Sequence, residues 1–303
     1  MSKSTKWFLA ILGILALIAV VFVVILFSFV SSPSGGVETV TSGSGDKIAV
    51  VELKGVITSS EEFVRQVKKY RTDRSIRALL VRVESPGGGV VASQEMYEEL
   101  RKTRDGGKPV VVSMGSIAAS GGYYVACGAS RVVANRGTLT GSIGVISEFL
   151  QLREAMDKLG IDVKTVKSGR LKDSGTPTRP MNREDEAYFQ ALSNDVHRQF
   201  VAVVERERGL GHDEALALSD GRVFTGEQAV KAGLVDTLGT FEDAILITAA
   251  AAGIEGEPSV VRERKRATWW VSMLGDAGET LRDLRQEILD RPVLSYRYGG
   301  PQE

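Results

Sequence analysis

The chain opens on an almost unbroken apolar run from Trp7 to Val30, in which Ser28 is the polar exception. As a helix at about 1.5 Å per residue it would extend roughly 36 Å, enough to cross a bilayer. Lys3 and Lys6 precede it, and Ser31–Gly45 on the far side carries no Lys or Arg. The positive-inside bias therefore places residues 1–6 in the cytoplasm, residues 7–30 in the membrane and everything after Val30 outside. A cleaved secretory signal is the competing reading, but the apolar core is long for one and no clear small-x-small site follows. Ser31–Asp46 is rich in Ser, Gly and Thr and reads as a flexible linker.

From Lys47 onward the pattern changes to short apolar runs alternating with amphipathic stretches. Lys47–Leu53, Ala78–Val83, Pro109–Ser113, Arg131–Ala134 and Asp162–Lys167 read as strands. Helices are expected over Glu61–Arg71, through Tyr97 and Leu100, after Ser120, and over Leu150–Leu159. Strands alternating with helices predict an α/β domain with a parallel sheet and right-handed crossovers, assigned to residues 47–250. Asn182–Gly209 reads as a long helix, with Asn182 as its cap and Tyr188, Leu192, Val196, Phe200 and Val203 on one face. Thr225-Gly-Glu-Gln228 has the form of a capping box. Residues 251–303 read as a helical and extended tail serving assembly. In it, Arg262–Val271 sets basic residues before Trp269-Trp270, a membrane-contact candidate or a solvated run. Glu279–Leu289 repeats leucine at helical spacing, and Pro292–Tyr298 looks extended and able to pair with a neighbour's sheet edge.

Composition narrows the chemistry. Lysine plus arginine equals aspartate plus glutamate at 38 each, so no charge excess points to nucleic acid. Cys127 is the single cysteine and falls among apolar residues, so it reads as core. His197 and His212, the two histidines, lie far from the glycine-rich motifs, and no Cys/His cluster has metal-ligand spacing. No metal or cofactor is expected, and a Ser-His-Asp arrangement is disfavoured.

Three loops of small residues carry the candidate chemistry. Glu84-Ser-Pro-Gly-Gly-Gly-Val90 follows a strand and precedes a helix, where backbone N–H groups can bind an anion. It matches neither a dinucleotide fingerprint nor a P-loop. In the second, Ser120-Gly121-Gly122 turns from a strand into an apolar helix. That stretch reads either as a helix N-cap or as a turn presenting a hydroxyl beside the following amide, as an acyl-transfer nucleophile requires. The third, Thr138-Leu-Thr-Gly-Ser-Ile-Gly-Val145, places Ser142 where it can hydrogen-bond a polar neighbour. A serine nucleophile needs a base. Without a histidine near the motifs, lysine remains, provided that burial keeps it neutral. Lys172, in Ser168-Gly-Arg-Leu-Lys-Asp173, reads by itself as a surface lysine.

The order of these motifs resembles the bacterial signal peptide peptidase A family of serine proteases, in its short, single-copy form, over about Lys47–Thr240. The resemblance includes Gly221-Arg-Val-Phe-Thr-Gly-Glu-Gln-Ala-Val-Lys-Ala-Gly-Leu-Val-Asp236. It implies a Clp-protease/crotonase-like spiral of β-β-α units behind one N-terminal transmembrane helix. It further implies Ser120 as nucleophile, Lys172 as general base, Ser142 orienting Lys172, and an oxyanion hole from the amides of Gly87 or Gly88 and of Gly121. Arg170-Leu-Lys-Asp173 stands where the family often carries Lys-Tyr-Lys-Asp. The implied protein is a single-pass bacterial inner-membrane endopeptidase with its catalytic domain periplasmic. Its substrates would be hydrophobic remnant signal peptides or membrane peptides, cut within a homo-oligomeric ring or dome. Alternatives on the same fold are a Ser-Lys protease for one specific membrane protein, a crotonase-like acyl-thioester enzyme using acids such as Glu84, and a non-catalytic scaffold.

Overall fold

The computed structural model describes residues 37–42, 45–264 and 295–297, with isolated positions between 7 and 21. Those isolated positions, Trp7, Gly13, Leu15, Leu17, Val20 and Val21, are helical and exposed. Among the described residues no helix is long and apolar enough to cross a membrane. Most of the expected Trp7–Val30 span lies outside the described residues, as do Glu279–Leu289 and Trp269-Trp270. By contact density the chain divides into two units, Met1–Val37 with Arg264–Arg266, and the remainder. The second unit holds the fold considered below.

β2 (Lys47–Lys54), β3 (Ile76–Ser85), β5 (Val110–Ala119) and β6 (Arg131–Ala134) form the centre of a parallel sheet. Strand alternation sends their side chains to opposite faces. Ala49, Val51, Leu79, Val81, Val110 and Val112 meet on one face, while Ile48, Val50, Leu80, Val111 and Val133 meet on the other. Both sets are buried because helices cover both faces, which is why these strands read as continuous apolar runs. The first face packs against α1 (Glu61–Thr72), α2 (Val90–Asp105), α3 (Gly121–Ala126) and the C-terminal half of α5 (Arg183–Arg208). α8 (Phe241–Ala251) covers the second through Phe241, Ala244, Ile245 and Ala249.

Shorter strands shape the site end of the sheet. β5 forks: Val111–Ser113 pairs with β6, and Ile117–Ala119 pairs with β7 (Leu139–Gly141). β8 (Val223–Thr225) lies antiparallel to β7, and β9 (Thr237–Leu238) extends β6. Between them, α7 (Gly226–Lys231) starts at the expected Thr225–Gln228 capping box. The short helices α4 (Arg153–Lys158) and α6 (His212–Ala217) complete this part of the chain.

Five expectations are corrected. The linker contains β1 (Val37–Ser42), whose Val/Thr alternation suits a strand; it joins the sheet beside β10 (Ser259–Arg264). β10 in turn pairs in parallel with β2, so the domain does not end at 250. Arg262 of the basic run lies within it, over the Phe241 ring. Asp162–Lys167 forms no strand despite its alternation: every one of its residues is exposed, and β8 occupies the free edge of β7. The Leu150–Leu159 helix shortens to α4. Finally, Ser295–Arg297 is extended, as its sequence implies, but it pairs with this chain's own β4 (Gly87–Gly89) as antiparallel β11.

Candidate active site

Ser120 caps α3 at the end of β5, with φ 53° and ψ −114°. Among the described residues only Ser120 and Ser142 have positive φ without being glycine. Such a conformation costs roughly 1–3 kcal/mol and persists only where surroundings enforce it. Here the enforcement is visible. The Ser120 amide donates to the Gly141 carbonyl at 2.7 Å, and the Tyr124 amide donates to the Ser120 carbonyl at 2.8 Å. Ala119 pairs with Gly141, so the ends of β5 and β7 bring Ser120 and Ser142 side by side. The Ser142 amide is held by the Arg222 carbonyl at 2.9 Å. Both serines are buried, and Ser120 Oγ has no hydrogen-bond partner. A simple N-cap would spend that oxygen on a helix amide, but α3 shows no side-chain cap bond.

The glycine loop packs directly against this turn. A Cβ on Gly121 would meet Ser93 Oγ at 2.6 Å and the Gly88 amide nitrogen at 3.1 Å; one on Gly122 would meet the Ser85 carbonyl at 2.9 Å. Glycine is therefore required on the α3 side as well as on the loop side. The Gly87 amide already donates to Ser85 Oγ at 3.1 Å. Ile57 takes the Gly87 carbonyl and the Gly89 amide. Main-chain groups alternate along a strand, so the Gly88 amide faces away from Ile57, beside Gly121. Of the two glycines, Gly88 is thus the one with an amide free of the loop's own bonds, and it pairs spatially with Gly121 as a donor pair for an oxyanion.

The structure does not bring Lys172 to Ser120. Lys172 is exposed, in a turn whose amides bond locally, Lys172 to Gly169 and Ser174 to Leu171. An ion network fixes that turn. Arg179 binds Asp173 at 3.0 Å and Asp185 at 2.6 Å, and Lys167 also binds Asp173. Arg179 first, then Lys167, hold the Asp173 carboxyl down to about 2. Asp185 also accepts from Ser174 and from the amide of Asn182, the capping box of α5. The histidines are engaged elsewhere, His197 with the Ser219 carbonyl and His212 with Glu205. Glu84 accepts from the Ser116 and Ile117 amides, which makes it an anchor for β5. Cys127 is buried core, its thiol pushed up to about 12 by burial. Among the described residues no group of His, Cys, Asp and Glu could hold a metal.

β11 was invisible as part of the site from sequence, because three residues with no periodicity carry it. Tyr296 pairs with Gly88, and its carbonyl lies well inside contact distance of the point a Gly87 Cβ would occupy. The Gly121 amide nitrogen lies 2.6 Å from that same point. A peptide carbonyl is thus presented to the donor pair. The Tyr296 ring stacks on Tyr124 with centroids 5.2 Å apart and lies 4.7 Å from Phe200.

Comparison with known proteins agrees with this geometry. Residues 102–255 match the model of peptidase family S49. A Synechocystis protein named as a protease is 43% identical over 69% of this chain and 76% of its own length. An Enterococcus faecium protein named as a signal peptide peptidase SppA is 36% identical over 69% of this chain and 64% of its own. Protease 4 of Salmonella typhi is 32% identical over 83% of this chain but only 43% of its own length. The motif resemblance, the α/β fold and these matches converge: the chain belongs to peptidase family S49, and it is a serine protease.

Proposed function

We propose that this protein is a membrane-anchored Ser-Lys endopeptidase that degrades remnant signal peptides outside the cytoplasm, on a crotonase-like spiral of β-β-α units. The observation that carries the reading is the Ser120 turn: a buried, unpartnered hydroxyl held at positive φ, with the Gly121 and Gly88 amides beside it. Ser120 Oγ attacks the peptide carbonyl, whose developing negative charge the two amides stabilise. Neutral Lys172 accepts the hydroxyl proton and passes it to the leaving amine; water then hydrolyses the acyl-enzyme by the reverse route. Ser142, beside Ser120, orients the lysine amine. Trp7–Val30 is the anchor, inserted in a bacterial inner membrane with the catalytic domain on the periplasmic side.

Assembly completes the site in this reading. Lys172 is exposed in the single chain, and Leu150, Leu159, Ile161, Val163 and Val166 beside it in sequence are exposed too. Apolar exposure of that extent marks a contact surface. A neighbouring copy covers it in a ring or dome, and in doing so supplies Lys172 to a Ser120.

The test uses the full chain in detergent and a fluorogenic signal-peptide-like substrate, followed against pH. Wild type is expected to cut the substrate. Ser120→Ala and Lys172→Ala are each expected to lose about 10³-fold or more while remaining folded. Full activity in Lys172→Ala would remove the lysine from its role. A folded, assembled wild type that cuts no peptide would remove the protease reading of this chain's substrate.

A further inference from the structure

Ser85 closes β3, fully buried, and its one side-chain oxygen binds two main-chain groups. The hydroxyl donates to the Gly55 carbonyl at 2.6 Å, and the same Oγ accepts from the Gly87 amide at 3.1 Å. A hydroxyl has a single proton, so giving it to Gly55 leaves only lone pairs for the glycine loop. Pro86 has no N–H, which makes the Gly87 amide the first donor that the loop presents after Ser85.

Gly87 is thus clamped on both sides. Ser85 Oγ holds the N–H of the peptide unit before it, and the Ile57 amide holds the carbonyl of the unit after it at 2.8 Å. That second unit is planar, so with its carbonyl taken by Ile57 its N–H, the Gly88 amide, points the opposite way. There the Gly88 nitrogen lies 3.1 Å from the point a Gly121 Cβ would occupy. At φ 98° Gly87 swivels more freely than any other residue could, so the direction of the Gly88 amide depends on both clamps. Ser85 also reaches the serine side of the site. Its carbonyl lies 2.9 Å from the point of a Gly122 Cβ, and it pairs with Ala118 of β5, two residues before Ser120. One residue therefore touches both halves of the donor pair's support.

We propose that Ser85 is the positioning residue of the oxyanion hole: by binding the Gly87 amide it makes Gly88 the loop's donor and sets that donor against Gly121. The proposal rests on Ser120 being the nucleophile. Ser85 itself meets no substrate. Without its hydroxyl, the Gly87 amide and the Gly55 carbonyl lose a partner in a buried place, and the peptide units around Gly87 rotate to find another. The Gly88 amide turns with them. Its loss is felt where charge develops on the substrate oxygen, in the transition state rather than in the bound peptide.

The experiment uses the full chain in detergent as wild type, Ser85→Ala and Ser85→Cys. Each is given the fluorogenic signal-peptide-like substrate, a peptide aldehyde of the same sequence, and the matching peptide alcohol. On the aldehyde, Ser120 Oγ bonds to the carbonyl carbon, the carbonyl π pair moves onto its oxygen, and the hydroxyl proton passes to the base, so the adduct carries an oxyanion. The alcohol has no carbonyl there and reports binding alone. Ser85→Ala is expected to lose about 10²-fold in kcat and in aldehyde affinity, with KM and alcohol affinity shifting by less than about twofold. Ser85→Cys, close in size and weak as donor and acceptor, is expected to show the same split with a smaller loss, and it decides alone if Ser85→Ala does not fold. A kcat that stays at the wild-type value overturns the proposal, and so does a fall in aldehyde and alcohol affinity together, which marks Ser85 as mere support of the cleft. Both outcomes leave the protease reading standing. A wild type that binds the aldehyde no more tightly than the alcohol overturns the nucleophile reading instead, and the proposal with it.

Discussion

Ser120 and Ser142 sit in backbone conformations that serine ordinarily avoids, at the ends of two adjacent strands, with the Ser120 amide tied to the Gly141 carbonyl and the Ser142 amide to the Arg222 carbonyl. In the proposed mechanism the strain at Ser120 has a function, since φ 53° would aim the hydroxyl and the Gly121 amide at one region. Glycine relieves the strain there. Ser120→Gly should therefore stabilise the fold by about 1 kcal/mol while eliminating hydrolysis, read from urea unfolding and peptide turnover together. A stability loss would mean that the buried hydroxyl contributes more than its backbone costs. The serine was legible as a candidate from the two glycines that follow it. Its strain was not, because φ at that position is imposed by β7, which the sequence places only through Thr138–Val145.

At the scale of elements, the Lys172 turn is organised by charge. Arg179 bridges Asp173 and Asp185, and Asp185 belongs to the capping box that starts α5. The Asp173 carboxyl, held down to about 2 against an ordinary value near 3.9, contributes stability present above about pH 4 and lost as pH falls through about 2. Hydrogen exchange at the Lys172, Ser174 and Thr176 amides should thus accelerate between pH 4 and pH 2, ahead of global unfolding, after correction for intrinsic exchange rates. Arg179→Met should show the faster exchange already at pH 7. Protection that stays constant across this window would show the turn to be held by something else. Asn182 was readable as the cap of α5 because acids fill the first turn after it. The Arg179 bridge was not, since nothing in Thr178-Arg179-Pro180 distinguishes a network arginine from a surface one.

At the scale of the molecule, two groups that the proposed mechanism needs together are apart in a single chain: Ser120 is buried and Lys172 exposed. If assembly unites them, mixing should reveal it. Ser120→Ala and Lys172→Ala chains, each inactive, should regain a fraction of wild-type activity on the order of a quarter when dissociated, combined in equal amounts and reassembled, the quarter following from random pairing of the two kinds of neighbour. Val166→Glu, at a residue 91% exposed, should disperse the assembly by sedimentation without lowering the unfolding midpoint of the chain. Two inactive variants that never complement would place Lys172 and Ser120 in one subunit, to be joined by movement of the Lys172 turn.

The sequence alone determined what repeats or punctuates. The two-sided apolar runs of β2, β3 and β5 declare a covered parallel sheet, the caps at Asn182 and Thr225 declare their helices, and glycine pairs mark where backbone must approach backbone. These are local consequences of side-chain size, charge and period. Tertiary structure alone decided the rest, because each decision depended on a partner distant in the chain. Val37–Ser42 and Ser259–Arg264 become sheet because an edge stands open to them, and Asp162–Lys167 does not because β8 takes the edge of β7. Gly88 is separated from Gly87 as the candidate oxyanion donor by what Ser85 and Ile57 already bind. Tyr296 enters the site because Tyr124, Phe200 and Val196, all distant from it in sequence, leave a slot beside an amide that faces it.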